Sequence, residues 1–311
     1  MYNPTVSVFI PVHNEEKTIR TALAFVQKIK KEYKNIEIIV GSDSTDRTDD
    51  IVREYKFVKL VTSKERLGKP GMLKRLYKVA KGEIIIIHDS DWKFISHHDF
   101  RNLIKIFEDP KVGGIDDVRS LPEENLPTLS LGETFVNRFL YEFRIKKYTF
   151  EKDGMLYAKD NSKFPFIVTI FRRSSVPKEQ LTLCDDGERA VQIMKNGYDV
   201  IIPKVSIPYF LINYVRPLTV RTLFKQKARC SLARRQMQKI YNQYNAGILD
   251  FFIPAFLYSI NRSFEVKAPK ISRFKTLVSV FSFWFISGLA DIKGRTLKAS
   301  TKEAWKMRCP R

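Results

Sequence analysis

Ile84-Ile85-Ile86-Ile87-His88-Asp89-Ser90-Asp91 sets four consecutive β-branched residues directly before two carboxylates. A continuous apolar run of that length, with no alternation, reads as a strand buried on both faces of a sheet. The pattern repeats upstream. Val6 to Ile10 is a second such run, followed by a helical stretch from about Glu15 to Tyr33 with Ile19, Leu23, Val26 and Ile29 on one face. A strand at Ile36 to Val40 comes next, then a polar turn from Gly41 to Thr48 and a helix holding Ile51, Val52 and Tyr55. Lys59 to Thr62 reads as a strand and Gly71 to Lys81 as a helix. Strands alternating with helices predict an α/β fold whose mostly parallel sheet is covered by helices on both faces. Ligands bind such sheets beyond the carboxyl ends of the strands. The polar clusters fall there: His13 to Glu16, Asp43 to Asp46, and Asp89 to Asp91. Two neighbouring carboxylates repel unless a cation is shared, and hard oxygen ligands favour Mg²⁺ or Mn²⁺ over zinc. His88, the last strand residue, reads as structural.

The chain has 311 residues, 44% hydrophobic and 29% charged, with a formal charge of +21. Those values exclude a short disulfide scaffold and a disordered tail. Cys184, Cys230 and Cys309 form no Cys-x-x-Cys pair, and their odd number suits a reducing, cytosol-facing compartment. The first apolar run ends at Pro11 and does not read as a signal peptide. The charge is unevenly spread: residues 204–311 carry 21 of the 55 Lys and Arg but only 4 of the 34 Asp and Glu. Two apolar stretches, Ala246 to Ile260 and Thr276 to Ala290, interrupt that basic segment. Each has about 15 residues, short of the roughly 20 that span a bilayer. Arg273, Lys275, Lys293 and Arg295 bracket the second. The arrangement fits interfacial or re-entrant helices on an anionic membrane better than short tilted transmembrane helices, which stay open, with helices packed on the catalytic domain as the alternative. Lys302 to Arg311 reads as a basic tail.

Several motifs, in order over about residues 5–235, resemble those of family 2 glycosyltransferases, inverting enzymes with the GT-A nucleotide-sugar fold. Val8 to Glu16 is similar to that family's opening strand and Pro-x-x-Asn-Glu turn, and Ser42 to Thr48 to its Asp-Gly-Ser-Thr-Asp-Gly-Thr segment without the glycine after Asp43. Arg66-Leu67-Gly68-Lys69 resembles the Gly-Lys stretch, and Asp89-Ser90-Asp91 the Asp-x-Asp motif. Phe171 to Ser174, then Asp185-Asp186 with Gly197-Tyr198, is similar to the acceptor-site stretch that carries the base, with Asp185 where a Glu is usual. Gln226-Lys227-Ala228-Arg229-Cys230 resembles the Gln-x-x-Arg-Trp motif of polysaccharide synthases, with Cys230 in place of the tryptophan.

The resemblance implies donor contacts at Pro11, His13, Glu15, Asp43, Lys69, Asp89 and Asp91. It places Mg²⁺ or Mn²⁺ on Asp89 and Asp91, a general base at Asp186, and acceptor or diphosphate contacts at Asp185, Gln226 and Arg229. Some of these positions have plainer readings. Asp43, Asp46 and Glu15 suit turns and helix starts, Asp185 and Asp186 an exposed loop, and Gln226 and Arg229 a basic helix face. The division implied is a catalytic domain over 1–215, with a nucleotide-sugar half (1–110) and an acceptor half (111–215). A basic, amphipathic, helical membrane-associating region follows over 216–311. The expected function is transfer of a sugar from a nucleotide-sugar donor to a lipid-linked or glycan acceptor at the cytosolic membrane face. UDP-hexose is favoured and GDP-mannose stays open. A processive polysaccharide synthase is the alternative within the class, against which Cys230 counts. A basic nucleic-acid-binding protein is the alternative outside it; no nucleic acid is expected as a partner.

Overall fold

The computed structural model describes residues 2–90, 92–93, 100–116, 126–160, 166–176, 182–202, 211–212, 218–242, 252–268 and 270–297. Asp91, most of the first half of the 246–260 stretch and the 302–311 tail lie outside that set. The N-terminal half alternates as expected: β1 (Val6–Val12), α1 (Ile19–Glu32), β2 (Ile36–Ser42), α2 (Thr48–Arg53), β3 (Val58–Thr62), α3 (Gly68–Val79) and β4 (Ile84–Ile87). β1 pairs in parallel with β2 and β4, and β2 with β3. The four isoleucines of β4 are all buried because side chains alternate across a strand. Ile84 and Ile86 enter one apolar cluster with α1, and Ile85 and Ile87 enter another with α3.

Two helix starts differ from the sequence expectation for local reasons. α1 begins at Ile19 because Asn14 turns the chain at φ 57° and the Glu15 carbonyl accepts from the amides of Thr18 and Ile19. α3 begins before Pro70, at Gly68, whose φ of 69° suits a residue without Cβ. A proline in the first turn forfeits no intrahelical bond, so Pro70 does not delay the start.

The second half comprises β5 (Trp92–Lys93), α4 (Phe100–Lys105), β6 (Val112–Asp116), α5 (Thr128–Tyr148), β7 (Thr149–Lys152), β8 (Met155–Ala158), β9 (Val168–Arg172), α6 (Asp185–Lys195), β10 (Asp199–Ile202) and β11 (Leu211–Ile212). β9 inserts between β4 and β6 and runs antiparallel to both. The nine-stranded order is β3-β2-β1-β4-β9-β6-β10-β8-β7, and β5 pairs separately with β11. Parallel pairing therefore fills the first half of the sheet, and antiparallel pairs enter with β9.

Three long helices follow among the described residues: α7 (Val220–Tyr241), α8 (Ile253–Glu265) and α9 (Arg273–Thr296). α9 lies against α5, α7 and α8. It approaches α5 so closely that a Cβ on Gly132 would meet the Ser279 carbonyl oxygen at 2.2 Å. Gly132→Val is therefore expected to lower unfolding stability by about 1–3 kcal/mol through overpacking, read as a drop in the urea midpoint. α7 also fastens the end of α9, since the Arg235 guanidinium donates to the carbonyls of Gly294, Arg295 and Leu297. Part of the basic surplus is thus consumed in capping a helix C-terminus.

The inward face of α9 mixes small and polar residues, Thr276, Ser279, Ser287, Ala290 and Asp291, with the core residues Val280, Phe283, Trp284 and Ile286. Its outward face carries Phe274, Val278, Phe281, Phe285, Leu289 and Ile292, between 40% and 76% exposed. A water-soluble amphipathic helix keeps its apolar residues to one face, whereas α9 carries them on both. Ile253, Leu257 and Phe264 of α8 are exposed as well. Among the described residues, α9 is the one helix long and apolar enough to cross a membrane by length and composition, an 18-residue stretch of it having a mean hydropathy of 1.3.

Candidate active site

The carboxyl ends of β1, β2 and β4 gather the polar turns that the sequence singled out. Asp43, just beyond β2, is buried and fully engaged by its own chain. Its Oδ1 pairs with Arg66, and its Oδ2 accepts from the amides of Leu67 (2.8 Å) and Gly68 (3.0 Å). The His13 Nδ1 lies 2.9 Å from both its backbone carbonyl and its carboxylate. Asp43 therefore fixes the Arg66–Lys69 loop and points Lys69 inward.

Lys69 meets the acid cluster. Its ammonium lies 3.0 Å from Asp89, at the end of β4, and 3.1 Å from Asp185, in the first turn of α6. Arg189, one turn along α6, holds the same Asp185 oxygen at 3.1 Å and donates to the Val168 carbonyl. Burial works against the Lys69 charge, but Asp185 and Asp89 outweigh it and keep the ammonium protonated beyond its usual range. Burial likewise pushes Asp185 up, yet Lys69 and Arg189 hold its carboxyl well below the ordinary carboxylate range. Its neighbour moves the other way. Burial and then the Asp185 charge raise Asp186, which places a more basic carboxylate beside a permanently ionised one. Asp186 Oδ1 accepts from the Gly187 amide at 2.8 Å and lies 3.7 Å from the Cys184 thiol. The His88 imidazole is fully buried, its Nδ1 2.6 Å from the Asp89 carbonyl, and burial lowers it to about 4, so it is neutral.

Asp89, Asp185, Asp186 and Lys69 share the wall of one cavity of about 330 Å³ with residues of α5, α7 and α9. Residues 7–175 match the sequence family described as Glycosyl transferase family 2. The chain belongs to that family.

This family 2 glycosyltransferase is 27% identical over 238 residues to the Bacillus subtilis protein named "Probable glycosyltransferase YdaM", an alignment covering 73% of this chain and 54% of that protein. It is 27% identical over 119 residues to Glycosyltransferase AglD of Haloferax volcanii, covering 36% of this chain and 18% of that one. The chain thus spans about half the length of the first relative and less of the second. Among solved structures it resembles mannosyltransferase PcManGT from Pyrobaculum calidifontis in complex with GDP-Man and Mn²⁺, with a TM-score of 0.55 at 17% identity over 94% of this chain and 88% of that one. It also resembles S. aureus TarS 1-349 in complex with UDP-GlcNAc, with a TM-score of 0.50 at 14% identity over 98% and 90%. The mixed sheet with flanking helices is the GT-A arrangement that these neighbours share.

The remaining sequence-predicted residues of this glycosyltransferase fall into two groups. Pro11 sits on β1 and pairs in register with Gly41. The Glu15 carboxylate accepts from Thr18 Oγ1 at 2.8 Å, and Asp46 accepts from the Thr48 amide at 3.0 Å, as first-turn groups do. Arg229 lines the cavity, whereas the Gln226 amide donates to the buried Glu133 on α5 at 3.0 Å. Asp91 is outside the described residues. Among those described, no three His, Cys, Asp or Glu side chains form a cluster that could hold a metal ion. Three contributors escaped the sequence reading. Arg66 and Arg189 hold the acids, and the α5 and α9 side chains of the cavity wall look in sequence like ordinary core. The one usable signal was the i, i+4 spacing of Asp185 and Arg189.

Proposed function

We propose that the protein moves one sugar from a nucleotide-sugar donor to a lipid-linked or glycan acceptor, with inversion, at the cytosolic face of a membrane. The observation that carries this reading is the Lys69 ammonium between Asp89 and Asp185, with Asp186 alongside in the same cavity. Cation-demanding carboxylates at a strand end suit a leaving diphosphate. Asp89 supplies a hard oxygen, here paired with the Lys69 ammonium at 3.0 Å, that would turn to Mg²⁺ or Mn²⁺ shared with Asp91. When bound, such an ion supplies Lewis-acid neutralisation of the charge that builds on the diphosphate.

The chain's own residues do the rest. The acceptor oxygen forms a bond to the anomeric carbon while the bond from that carbon to the diphosphate breaks. Asp186 takes the acceptor proton, and the nucleoside diphosphate departs with the electron pair. Lys69 offers a fixed positive charge to the leaving group. Asp185, itself held by Arg189, keeps Lys69 in place. A phosphate acceptor arrives ionised and needs positioning, for which Arg229 is placed. Neighbours of this fold hold GDP-Man and UDP-GlcNAc, and both base classes remain candidates here, UDP-hexose first. A panel of UDP- and GDP-sugars with Mg²⁺ or Mn²⁺, scored for hydrolysis and nucleotide binding, is expected to select one base and to lose hydrolysis on chelation. Indifference to every sugar nucleotide would overturn the reading.

Residues 216–311 form the membrane-facing region in this proposal. The outward apolar stripes of α8 and α9, flanked by Lys267, Lys270, Arg273 and Lys293, support it. The full chain is expected to float with vesicles containing anionic lipid, and Phe281→Ser with Phe285→Ser to shift it towards the soluble fraction. A wild-type chain left entirely soluble would remove the membrane from the proposal.

A further inference from the structure

The start of α6 carries a third carboxylate, Glu188, that the transfer step does not use. A carboxylate in the first turn of a helix commonly faces water and offsets the helix dipole. Glu188 is instead 1% exposed and turns inward. Its Oε2 accepts from the Thr182 amide at 2.7 Å, and its Oε1 accepts from the Tyr241 hydroxyl at 2.7 Å and the Gln192 side-chain amide at 3.1 Å. Thr182 passes the constraint on, since its hydroxyl accepts from the Cys184 amide at 3.1 Å. Burial and the charges of Asp186 and Asp185 push the Cys184 thiol up, so it stays protonated and donates to Asp186 Oδ1 at 3.7 Å. The Gly187 amide donates to the same oxygen. Both bonds fall on Oδ1, which leaves Oδ2 for the acceptor proton.

α7 holds the same segment from the other side. Gln236 Oε1 accepts from the Leu183 amide at 3.0 Å, the Thr182 hydroxyl donates to Met237 Sδ at 3.3 Å, and Tyr241 ends the helix on Glu188. An apolar side chain in place of Glu188 would avoid burying a carboxylate, but it could not hold the Thr182 amide or the Tyr241 hydroxyl. We propose that Glu188 is a positioning residue for the base: with Tyr241 it fixes residues 182–184 against α7 and so sets the direction of the Asp186 carboxylate. The inference rests on the glycosyltransfer reading in taking Asp186 as the base. Proton transfer and attack tolerate little error in placement, and a shift of about 1 Å from a change away from the chemistry can cost about 10²-fold. Glu188→Gln keeps the shape and offers one acceptor oxygen where donors now reach two, so either Thr182 or the Tyr241 side loses its acceptor.

The test is a double-mutant cycle on the full chain, with Glu188→Gln and Asp186→Asn made singly and together. The rate read is kcat for hydrolysis of the sugar nucleotide selected from the UDP- and GDP-sugar panel, water serving as the hydroxyl acceptor. Glu188→Gln alone is expected to lower kcat by about 10- to 100-fold. Nucleotide affinity, measured by calorimetry, is expected to stay within about twofold of wild type, the tolerance of independent sites. In the Asp186→Asn background the same change is expected to cost less than about twofold, because a residue that acts through the base has nothing left to place. Tyr241→Phe is expected to show the same pattern with a smaller loss, and it carries the cycle if Glu188→Gln does not fold. An equal fractional loss in both backgrounds would overturn the proposal, as would a folded Glu188→Gln protein with wild-type kcat. The two readings separate in the same data. An Asp186→Asn protein with unchanged kcat removes the base and the positioning role together, whereas a large Asp186→Asn loss with a full Glu188→Gln loss added to it sinks the positioning role alone.

Discussion

Asp186→Asn is expected to lower kcat for transfer to a hydroxyl acceptor by about 10²- to 10⁴-fold, the range that a positioned general base contributes. Nucleotide affinity, set at the β-strand rim, should change far less. The wild-type pH profile carries the second half of the expectation. A base works only when deprotonated, and burial together with Asp185 raises the Asp186 carboxyl. The acid limb of kcat should therefore lie above the ordinary carboxylate range, with activity lost as pH falls through it, and the Asn variant should lose that limb. Asp185 cannot substitute: Lys69 and Arg189 keep it ionised but bind its lone pairs. Full hydroxyl transfer by the Asn variant would refute the assignment. With a phosphate acceptor, which arrives ionised, the same variant should lose less than about tenfold.

Arg144→Met is expected to cost about 3–5 kcal/mol of unfolding stability, the most of any single change considered, because it strands a buried charge. Asp116 at the end of β6 is completely buried, and its two oxygens accept from the Arg144 guanidinium and the Ile167 amide. The guanidinium is packed over the rings of Phe166 (5.1 Å) and Tyr141 (5.6 Å). Water cannot replace it there. The double change Arg144→Met with Asp116→Leu should recover much of the loss, since deleting a buried pair is cheaper than breaking one. Urea unfolding of the two variants and wild type measures both effects, and equal losses in the single and double variants would exclude the mechanism. The pair joins α5 to β6, and α5 carries Val136 and Leu140 of the cavity wall, so the single variant should also bind acceptor less well.

How much of this was written in the chain can be judged from particular residues. The four isoleucines of β4 and the acids after them were legible because a two-sided strand has a distinctive composition and its end is a fixed place in the fold. Asp89 is where that argument put it. Gln226 was less legible: its neighbours in sequence resemble an acceptor motif, but its amide donates to Glu133, 93 residues away. Nothing local encodes that contact. Asp43 was legible as a residue of the β2 rim and not as a saturated one, because its partners arrive from the start of α3. The antiparallel entry of β9 depends on the path after α5, which no periodicity records. The +21 charge misled in one respect, since Arg234, Arg235, Arg262 and Arg295 are engaged within the protein.

The Asp43 latch has a thermodynamic corollary. One carboxylate, gripped by a guanidinium and two amides, makes the rim of β2 and the first turn of α3 a single body. Lys69 leaves that body already aimed at Asp89. Loops that capture phosphates commonly give up conformational freedom when the ligand arrives, and affinity falls by that amount. Here the freedom was surrendered when the chain folded, so a sugar nucleotide would meet a surface whose disorder has already been removed.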